Sequence, residues 1–267
     1  HRDLHYPLRR QRQMCIRDSL NAVVVLVEPA GPLNIGSVAR LCANFGVSEL
    51  RLVAPRCDHL SEEAMLMAVH GQALLQAAVV VPDLLSAIHD CRRTVGSCGR
   101  LDHGEIPLQT PEQALGWLLA GDGSSSNSDA PVALVFGRED RGLSNSELRL
   151  CQRVLCLQSG EAYPSLNLSH AVAVVLHELA RLNSGTTETR CIEPPSPDPA
   201  AAKALSACLD DATDLLLEAG FLLEHTAAAR MAKVRDLLQR ATVRAEEVAL
   251  LRGMVRQLRW AIRAKRP

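Results

Sequence analysis

The chain has 267 residues, of which 47% are hydrophobic and 22% are charged, and its formal net charge is −1. This composition suffices for one large core, or for a domain with an appendage. No apolar run approaches the roughly 18–20 residues that a membrane-spanning helix needs, so a membrane protein is not expected. Nine cysteines without a Cys-x-x-Cys pair form neither a disulfide framework nor a zinc motif. They indicate a cytoplasmic protein without a bound metal.

Four segments are predicted along the chain. Residues 1–20 carry five arginines but no signal-peptide apolar stretch, which predicts a non-native or disordered segment, with a basic RNA-binding arm as the alternative. Residues 21–183 alternate strand and helix signals and form the main domain. Residues 184–200 contain four prolines and are predicted to be a linker. Residues 201–267 are predicted to form a basic helical extension.

Taken in chain order, the apolar runs predict strands at Ala22–Val27, Glu49–Val53, Ala78–Val81, Arg93–Gly96, Val132–Phe136 and Val154–Leu157. Helices are predicted from about Ile35 to Gly46, from Ser61, over Pro82–Cys91, from Ser144, from Asn167 to Leu182, over Ala200–Ala219 and over Thr226–Lys265. Ser144 and Glu147 have the spacing of a capping box. The alternation predicts an α/β fold with a parallel sheet and a helical tail.

Three polar clusters follow strands of this predicted sheet. They are Asn34–Arg40, Phe136–Leu143 and Tyr163–Leu168, and the first and third lead directly into helices. Ligands of open α/β sheets bind beyond the carboxyl ends of the strands, so we expect the clusters to converge on one site.

The order and spacing of these clusters resemble the three motifs of the knotted SPOUT-class (SpoU/TrmH family) RNA 2′-O-methyltransferases. The resemblance runs from about Ala22 to Arg181 and returns at Lys233–Met254. It implies a Rossmann-like parallel sheet with a trefoil knot, flanking helices and a C-terminal helical extension. It also implies S-adenosyl-L-methionine as cofactor, a homodimer whose site spans two chains, and tRNA as substrate. The target that it implies is the ribose of nucleotide 32, C or U, and another tRNA or rRNA position is the alternative.

The catalytic residues that the resemblance implies are Arg40, Asn34, Glu139, Ser165 and Asn167. The guanidinium of Arg40 suits a bidentate grip on a phosphate, which would place the ribose, and it is too basic to act as a proton acceptor. The alternative is a surface arginine on an amphipathic helix. Asn34 would hold the substrate or Arg40, or would serve only as an N-cap.

Glu139 would orient the ribose or Asn34, and its alternative is an ion pair with Arg138 or Arg141. Ser165 and Asn167 precede a helix and have capping as their alternative. The cofactor-binding residues that the resemblance implies are Ser97, Cys98, Gly99, Gly137, Leu157, Ser165, Leu166 and Asn167. The Ser97–Gly99 loop matches the family only loosely, because Cys98 departs from its pattern.

Charge is distributed unevenly along the chain. Residues 230–267 have a net charge of +8, which leaves −9 for residues 1–229. This asymmetry favours contact of the tail with an anion such as RNA. The alternatives are a solvated helix face and pairing with the acidic body.

Two other functions compete with the one that the resemblance implies. A Rossmann dehydrogenase needs Gly-x-Gly-x-x-Gly after its first strand, and the chain has Glu28-Pro-Ala-Gly-Pro-Leu-Asn-Ile-Gly there. A non-catalytic RNA-binding protein on the same fold would not need all three polar clusters. Aromatic residues make up only 3% of the chain, so recognition through phosphates and tRNA shape is expected rather than a base-stacking platform.

Overall fold

A computed structural model describes residues 21–99, 106–120, 130–157, 165–183 and 198–264. Its centre is a sheet of seven parallel strands in the order β3-β2-β1-β6-β4-β7-β5. The strands are β1 (Ala22–Val27), β2 (Glu49–Val53), β3 (Val79–Val81), β4 (Arg93–Cys98), β5 (Leu108–Gln109), β6 (Val132–Phe136) and β7 (Arg153–Cys156). The predicted α/β fold with a parallel sheet is confirmed.

The central strands form because their apolar runs are buried on both faces of the sheet. Every residue of β1 and of β6 is buried. Side chains alternate along β1: Val24 and Leu26 join the hydrophobic cluster on one face, and Val23 and Val25 join the cluster on the other. The core therefore consists of two layers, one on each side of the sheet.

Helices cover this sheet and continue beyond it. They are α1 (Pro32–Asn44), α2 (Glu62–Ala68), α3 (Gln72–Gln76), α4 (Leu84–Ala87), α5 (Pro111–Leu119), α6 (Asn145–Leu148), α7 (Leu168–Asn183), α8 (Ala202–Glu218), α9 (Glu224–Arg240) and α10 (Ala245–Ala264), with a 3₁₀ turn at Val69–Gly71. The Ser144 capping box is confirmed, although α6 spans only four residues.

Three helix predictions are wrong in their bounds. The first helix begins at Pro32 rather than Ile35, because Pro32 occupies the first helical turn, where a missing N–H is tolerated. The helix predicted over Pro82–Cys91 is reduced to α4. The single helix predicted over Thr226–Lys265 is two helices, because Thr242 has a left-handed backbone with φ 51°.

The three C-terminal helices pack around a hydrophobic cluster of their own, which includes Leu209, Met231 and Val248. Polar contacts join them to the α/β body. Arg149 pairs with Asp236 of α9 at 2.9 Å between Nε and Oδ1. Asp198, at the end of the predicted linker, pairs with buried Arg93 at 2.7 Å. Residues 184–197 lie outside the described residues, and the domain boundaries and the trefoil knot stay predictions.

Candidate functional site

The strand ends named in the sequence analysis lie side by side. In the sheet β4 lies between β6 and β7, and its Cys98 is in register with Cys156 of β7. The candidate cofactor-binding residues at the carboxyl ends of these three strands are therefore neighbours: Ser97 and Cys98 at the end of β4, which is two residues longer than predicted, Gly99 directly after it, Gly137 after β6 and Leu157 after β7. Ser165, Leu166 and Asn167 are exposed just before α7. Tyr163 and Pro164 lie outside the described residues.

The carboxylate of Glu139 caps the first helix. It accepts hydrogen bonds from the backbone N–H groups of Ala30 and Gly31, both at 3.1 Å, and from the Asn34 amide at 3.2 Å. Gly31 is the N-cap residue of α1 and has no side chain that could accept from these donors. A residue from the loop after β6 thus stabilises a helix that follows β1.

This arrangement decides two of the alternatives. Asn34 lies inside α1, so the N-cap interpretation of Asn34 is wrong. Glu139 binds backbone N–H groups and Asn34, whereas Arg138 pairs with Glu28 and Glu147 and Arg141 lies 3.9 Å from Glu28, so the ion-pair interpretation of Glu139 is also wrong.

Asn34 joins Glu139 to the third cluster. The Asn167 side-chain amide donates to Asn34 Oδ1 at 3.1 Å, and Asn167 Oδ1 accepts from the backbone N–H of Ser169 at 2.9 Å. A carboxylate can only accept and a backbone N–H can only donate, so both amide orientations are fixed from the ends of the chain of bonds. Asn167 therefore both caps the start of α7 and links the clusters. Glu139, Asn34 and Asn167 form what we call the three-motif cluster.

Glu139 is held in its charged form. Burial disfavours the carboxylate, but the hydrogen bonds from its own N–H, from Ala30, Gly31 and Asn34 outweigh burial, so the pKa of Glu139 lies below its usual value. A carboxylate with a lowered pKa is a poor proton acceptor at neutral pH. Its chemistry at this site is to accept hydrogen bonds and to orient Asn34.

Arg138, the residue before Glu139, fixes the loop after β6. Its guanidinium is largely buried, pairs with Glu28 and lies 2.9 Å from Glu147. The hydrogen bond from Arg138 is the largest cause that holds the pKa of Glu28 below its usual value. A Cβ on Gly137 would overlap the backbone of Gly142, so this loop returns so tightly that only glycine fits.

Arg40 lies apart from the three-motif cluster. It is exposed on α1, six residues beyond Asn34. Six residues of helix advance about 9 Å along the axis and turn about 240°, so Arg40 projects from a different flank. The Cβ that glycine lacks at Gly71 would overlap the backbone at Arg40, which places the 3₁₀ turn directly against this part of α1.

Three parts of this site were not predicted from the sequence: the Glu28 carboxylate, its pairing with Arg138, and the N–H groups of Ala30 and Gly31. The sequence does contain a signal for their location. Glu28 directly follows β1, and the Gly31-Pro32 pair is typical of a helix start. The partner of each group lies about a hundred residues away in sequence, so no local pattern predicts the pairing.

The basic tail divides into two sets. Arg252 and Arg263 pair with Asp211 and Glu218 of α8. Among the described residues, no ion pair forms at the exposed side chains of Lys233, Arg240, Arg244 and Arg256. Pairing with acidic residues and solvation therefore both occur, each for part of the tail.

Within the described ranges, no helix is long and apolar enough to cross a membrane, and no cluster of His, Cys, Asp or Glu could hold a metal ion. Burial raises the pKa of the Cys42, Cys91 and Cys151 thiols to about 12, so they are protonated at neutral pH and are poor nucleophiles.

Comparison with known proteins decides the family. The sequence pattern of the "SpoU rRNA Methylase family" matches residues 21–177. The chain belongs to the SpoU methylase family. The resemblance stated from the three clusters is thereby confirmed, and the match includes every candidate catalytic residue.

Relatives extend the match beyond the SpoU methylase region. The tRNA (cytidine/uridine-2′-O-)-methyltransferase TrmJ of Pectobacterium atrosepticum is 33% identical over 88% of this chain and 95% of its own length. The tRNA (cytidine-2′-O-)-methyltransferase TrmJ of Methanocaldococcus jannaschii is 36% identical over 58% of this chain and 66% of its own. The crystal structure of TrmJ from Z. mobilis ZM4 superposes with a TM-score of 0.74 at 28% identity, over 89% of this chain and 98% of that one. This SpoU family member therefore also shares its C-terminal helices with relatives.

Proposed function

We propose that the chain uses S-adenosyl-L-methionine to methylate a ribose 2′-hydroxyl in tRNA, at nucleotide 32 of the anticodon loop. The observation that carries the proposal is the three-motif cluster, which joins the first turn of α1 to the loop after β6 and to the segment before α7. It occurs in a chain whose relatives along nearly their whole length are named tRNA 2′-O-methyltransferases. A tRNA substrate implies that the enzyme works in the cytoplasm.

The residues at the strand ends fit an adenosine-bearing cofactor. Leu166 is an exposed apolar side chain beside the polar Ser165 and Asn167. A Cβ at Gly99 would meet no atom within 4 Å, so the backbone there is open to a close ligand. We propose that Ser97–Gly99, Gly137, Leu157 and Ser165–Asn167 hold the cofactor. When bound, it supplies an electrophilic methyl group.

The protein's own contribution in this proposal is positioning. Alignment of reacting groups can lower a barrier by several kcal/mol without any acid or base. Glu139 stays charged and fixes Asn34, and Asn34 fixes Asn167 at the start of α7. Ser165 and Asn167 would orient the ribose, whose proton leaves to a phosphate oxygen or to water.

Arg40 would hold the phosphate next to the target ribose. Arg40 is exposed on α1, about 120° around the helix axis from Asn34 of the same chain and about 9 Å along it. We therefore propose a homodimer in which Arg40 of one chain meets the strand ends of the other. Leu33 of α1 and Val174 of α7 support this assembly, because each apolar side chain is about half exposed.

The test is ribose methylation of a tRNA transcript by the purified protein and S-adenosylmethionine, mapped by mass spectrometry. We expect a single 2′-O-methyl group at nucleotide 32. Arg40→Ala should lower the rate at least 100-fold while calorimetric cofactor binding is retained. Arg40→Lys should recover little, because an ammonium lacks the bidentate fork. Methylation elsewhere would contradict the position, and near-normal turnover of Arg40→Ala would contradict the phosphate grip.

A further inference from the structure

Trp260 is the most exposed large apolar side chain near the end of α10. Its exposed fraction is 68%, whereas Trp117, the only other tryptophan in the sequence, is 2% exposed. An exposed indole leaves a large apolar surface in contact with water. Such a side chain indicates a contact site where the residues around it suit a particular kind of partner.

The surroundings of Trp260 are cationic and polar. Residues three and four apart are neighbours on a helix surface, and for Trp260 these are Arg256, Gln257, Arg263 and Ala264. Arg256 and Gln257 are exposed on the turn before the indole, and Arg263 is exposed on the turn after it. Three side chains that can donate hydrogen bonds thus surround one aromatic ring.

The exposed aliphatic residues of α10 lie elsewhere on the helix. Leu250 is 66% exposed, and Met254 and Leu258 are each 54% exposed. At about 100° per residue they lie roughly 80°, 120° and 160° around the axis from Trp260, and Leu250 is also about 15 Å away along the helix. The indole is therefore not part of a continuous apolar stripe, which a protein partner or a second copy would need. Trp260 lies on the flank of α10 that carries Arg256 and Arg263.

Charge on this flank is only partly compensated. Arg252 and Arg263 have carboxylate partners on α8, at 3.0 Å and 3.3 Å. Arg256 forms no ion pair with any residue in the described part of the chain. A nucleotide consists of a flat base and an anionic phosphate. A positive charge one turn from an exposed indole complements both parts, because the indole can stack on the base and the charge attracts the phosphate.

We propose that Trp260 and Arg256 form a binding site for one unpaired nucleotide of RNA, with the base stacked on the indole and the phosphate held by Arg256. In this proposal Gln257, which lies beside them, forms a hydrogen bond with an edge of the base. The proposal rests on the proposed function, because it assigns this site to the tRNA substrate. Low aromatic content does not oppose it, since one exposed ring suffices for one base.

Intrinsic fluorescence tests the stacking directly. Base stacking on Trp260 should quench tryptophan emission of the wild-type protein when tRNA is added, and should protect the indole from acrylamide. Trp260→Phe leaves only buried Trp117 as the reporter, so its emission should not respond to tRNA. An unchanged wild-type emission would overturn the proposal. A change that follows protein concentration without RNA would overturn it in favour of self-association.

Affinity measurements separate stacking from charge. Trp260→Ala should weaken tRNA binding by roughly 5- to 150-fold, as expected for loss of one stacked base, without changing the slope of log affinity against log salt. Arg256→Ala should lower that slope by about 0.7–0.9. Leu258→Ala, with its aliphatic side chain on the other flank, is the matched control and should bind like the wild type.

Methyl transfer by the wild-type protein is measured on the same tRNA. If the wild type methylates tRNA and Trp260→Ala binds within twofold of it, only the stacking proposal fails. If the wild type neither binds nor methylates tRNA, the proposed function fails and the stacking proposal fails with it.

Discussion

The amide of Asn34 both donates and accepts, so its replacement tests the three-motif cluster. Asn34→Ala removes a hydrogen bond to the Glu139 carboxylate at 3.2 Å and one from Asn167 at 3.1 Å. Hydrogen bonds with a charged group contribute about 1.5–3 kcal/mol and neutral ones about 0.5–1.5 kcal/mol. Because Asn34 is half-buried and water replaces part of this, we expect the free energy of unfolding to fall by about 1–2 kcal/mol.

Asn34→Asp keeps the size and the acceptor but places a second carboxylate about 3.2 Å from Glu139. Two charges at that distance repel by about 5 kcal/mol at an effective dielectric constant of about 20, and solvent reduces this at a half-exposed site. We therefore expect Asn34→Asp to be less stable than Asn34→Ala by about 1–3 kcal/mol at pH 8.

The difference between the two variants should depend on pH. Repulsion raises the pKa of one of the two carboxyls above its unfolded value, so the penalty is full above that raised pKa and disappears as the pH falls towards about 4. In the wild type the pKa of Glu139 is lowered, so its contribution is present above the unfolded pKa and is lost only in acid.

Urea unfolding followed by circular dichroism from pH 8 to pH 5 measures this difference. Asn44→Asp, at the exposed end of the same helix, is the control and should show no comparable pH dependence. Equal stabilities of Asn34→Asp and Asn34→Ala at pH 8, or a difference that does not change with pH, would refute the assigned contact with Glu139.

Two further predictions concern the loop after β6 and the basic tail. Gly137→Ala should destabilise the protein by about 3 kcal/mol or more, because its Cβ overlaps backbone, whereas Gly99→Ala should change the melting temperature little, since nothing lies within 4 Å of its Cβ. Similar melting temperatures for the two variants would contradict the tight return of the loop. In the tail, Lys233→Ala and Arg240→Ala should each lower the salt slope of tRNA binding by about 0.7–0.9, whereas Arg252→Ala should lower it less, because its charge is already paired. Equal slopes for all three variants would contradict this division of the tail.

Continuous apolar runs predicted the long strands because central parallel strands are buried on both faces and need no polar residues. β1, β2 and β6 have the predicted bounds. Signals for helix ends were less reliable. The helix predicted over Thr226–Lys265 is interrupted at Thr242, where neither glycine nor proline marks the left-handed backbone, and the two resulting helices pack with α8 around one hydrophobic cluster. Helix α5 was missed although Thr110 and Gln113 form a capping box.

The candidate site was predictable as a set of residues but not as a set of contacts. Three polar clusters that follow three parallel strands must meet at one edge, which is a property of the fold class. The partner of each side chain depends on which loop reaches which helix. The family resemblance implied the contact of Glu139 with Asn34, with an ion pair to the neighbouring arginines as the alternative, but no local pattern predicted that Glu139 also accepts from the N–H groups of Ala30 and Gly31, more than a hundred residues away in sequence.

Helix α1 connects the two parts of the proposed mechanism. Its first turn is held by Glu139 through Asn34 and the backbone N–H groups before it. Gly36 lets its middle lie directly against α2, and Gly71 lets the 3₁₀ turn lie against the backbone at Arg40. A helix fixed at three points cannot shift the base of the Arg40 side chain without disturbing the loops that we propose to hold the cofactor. In the proposed mechanism, one element therefore sets both the position of Arg40 and the geometry of the strand ends, which is what catalysis by positioning requires.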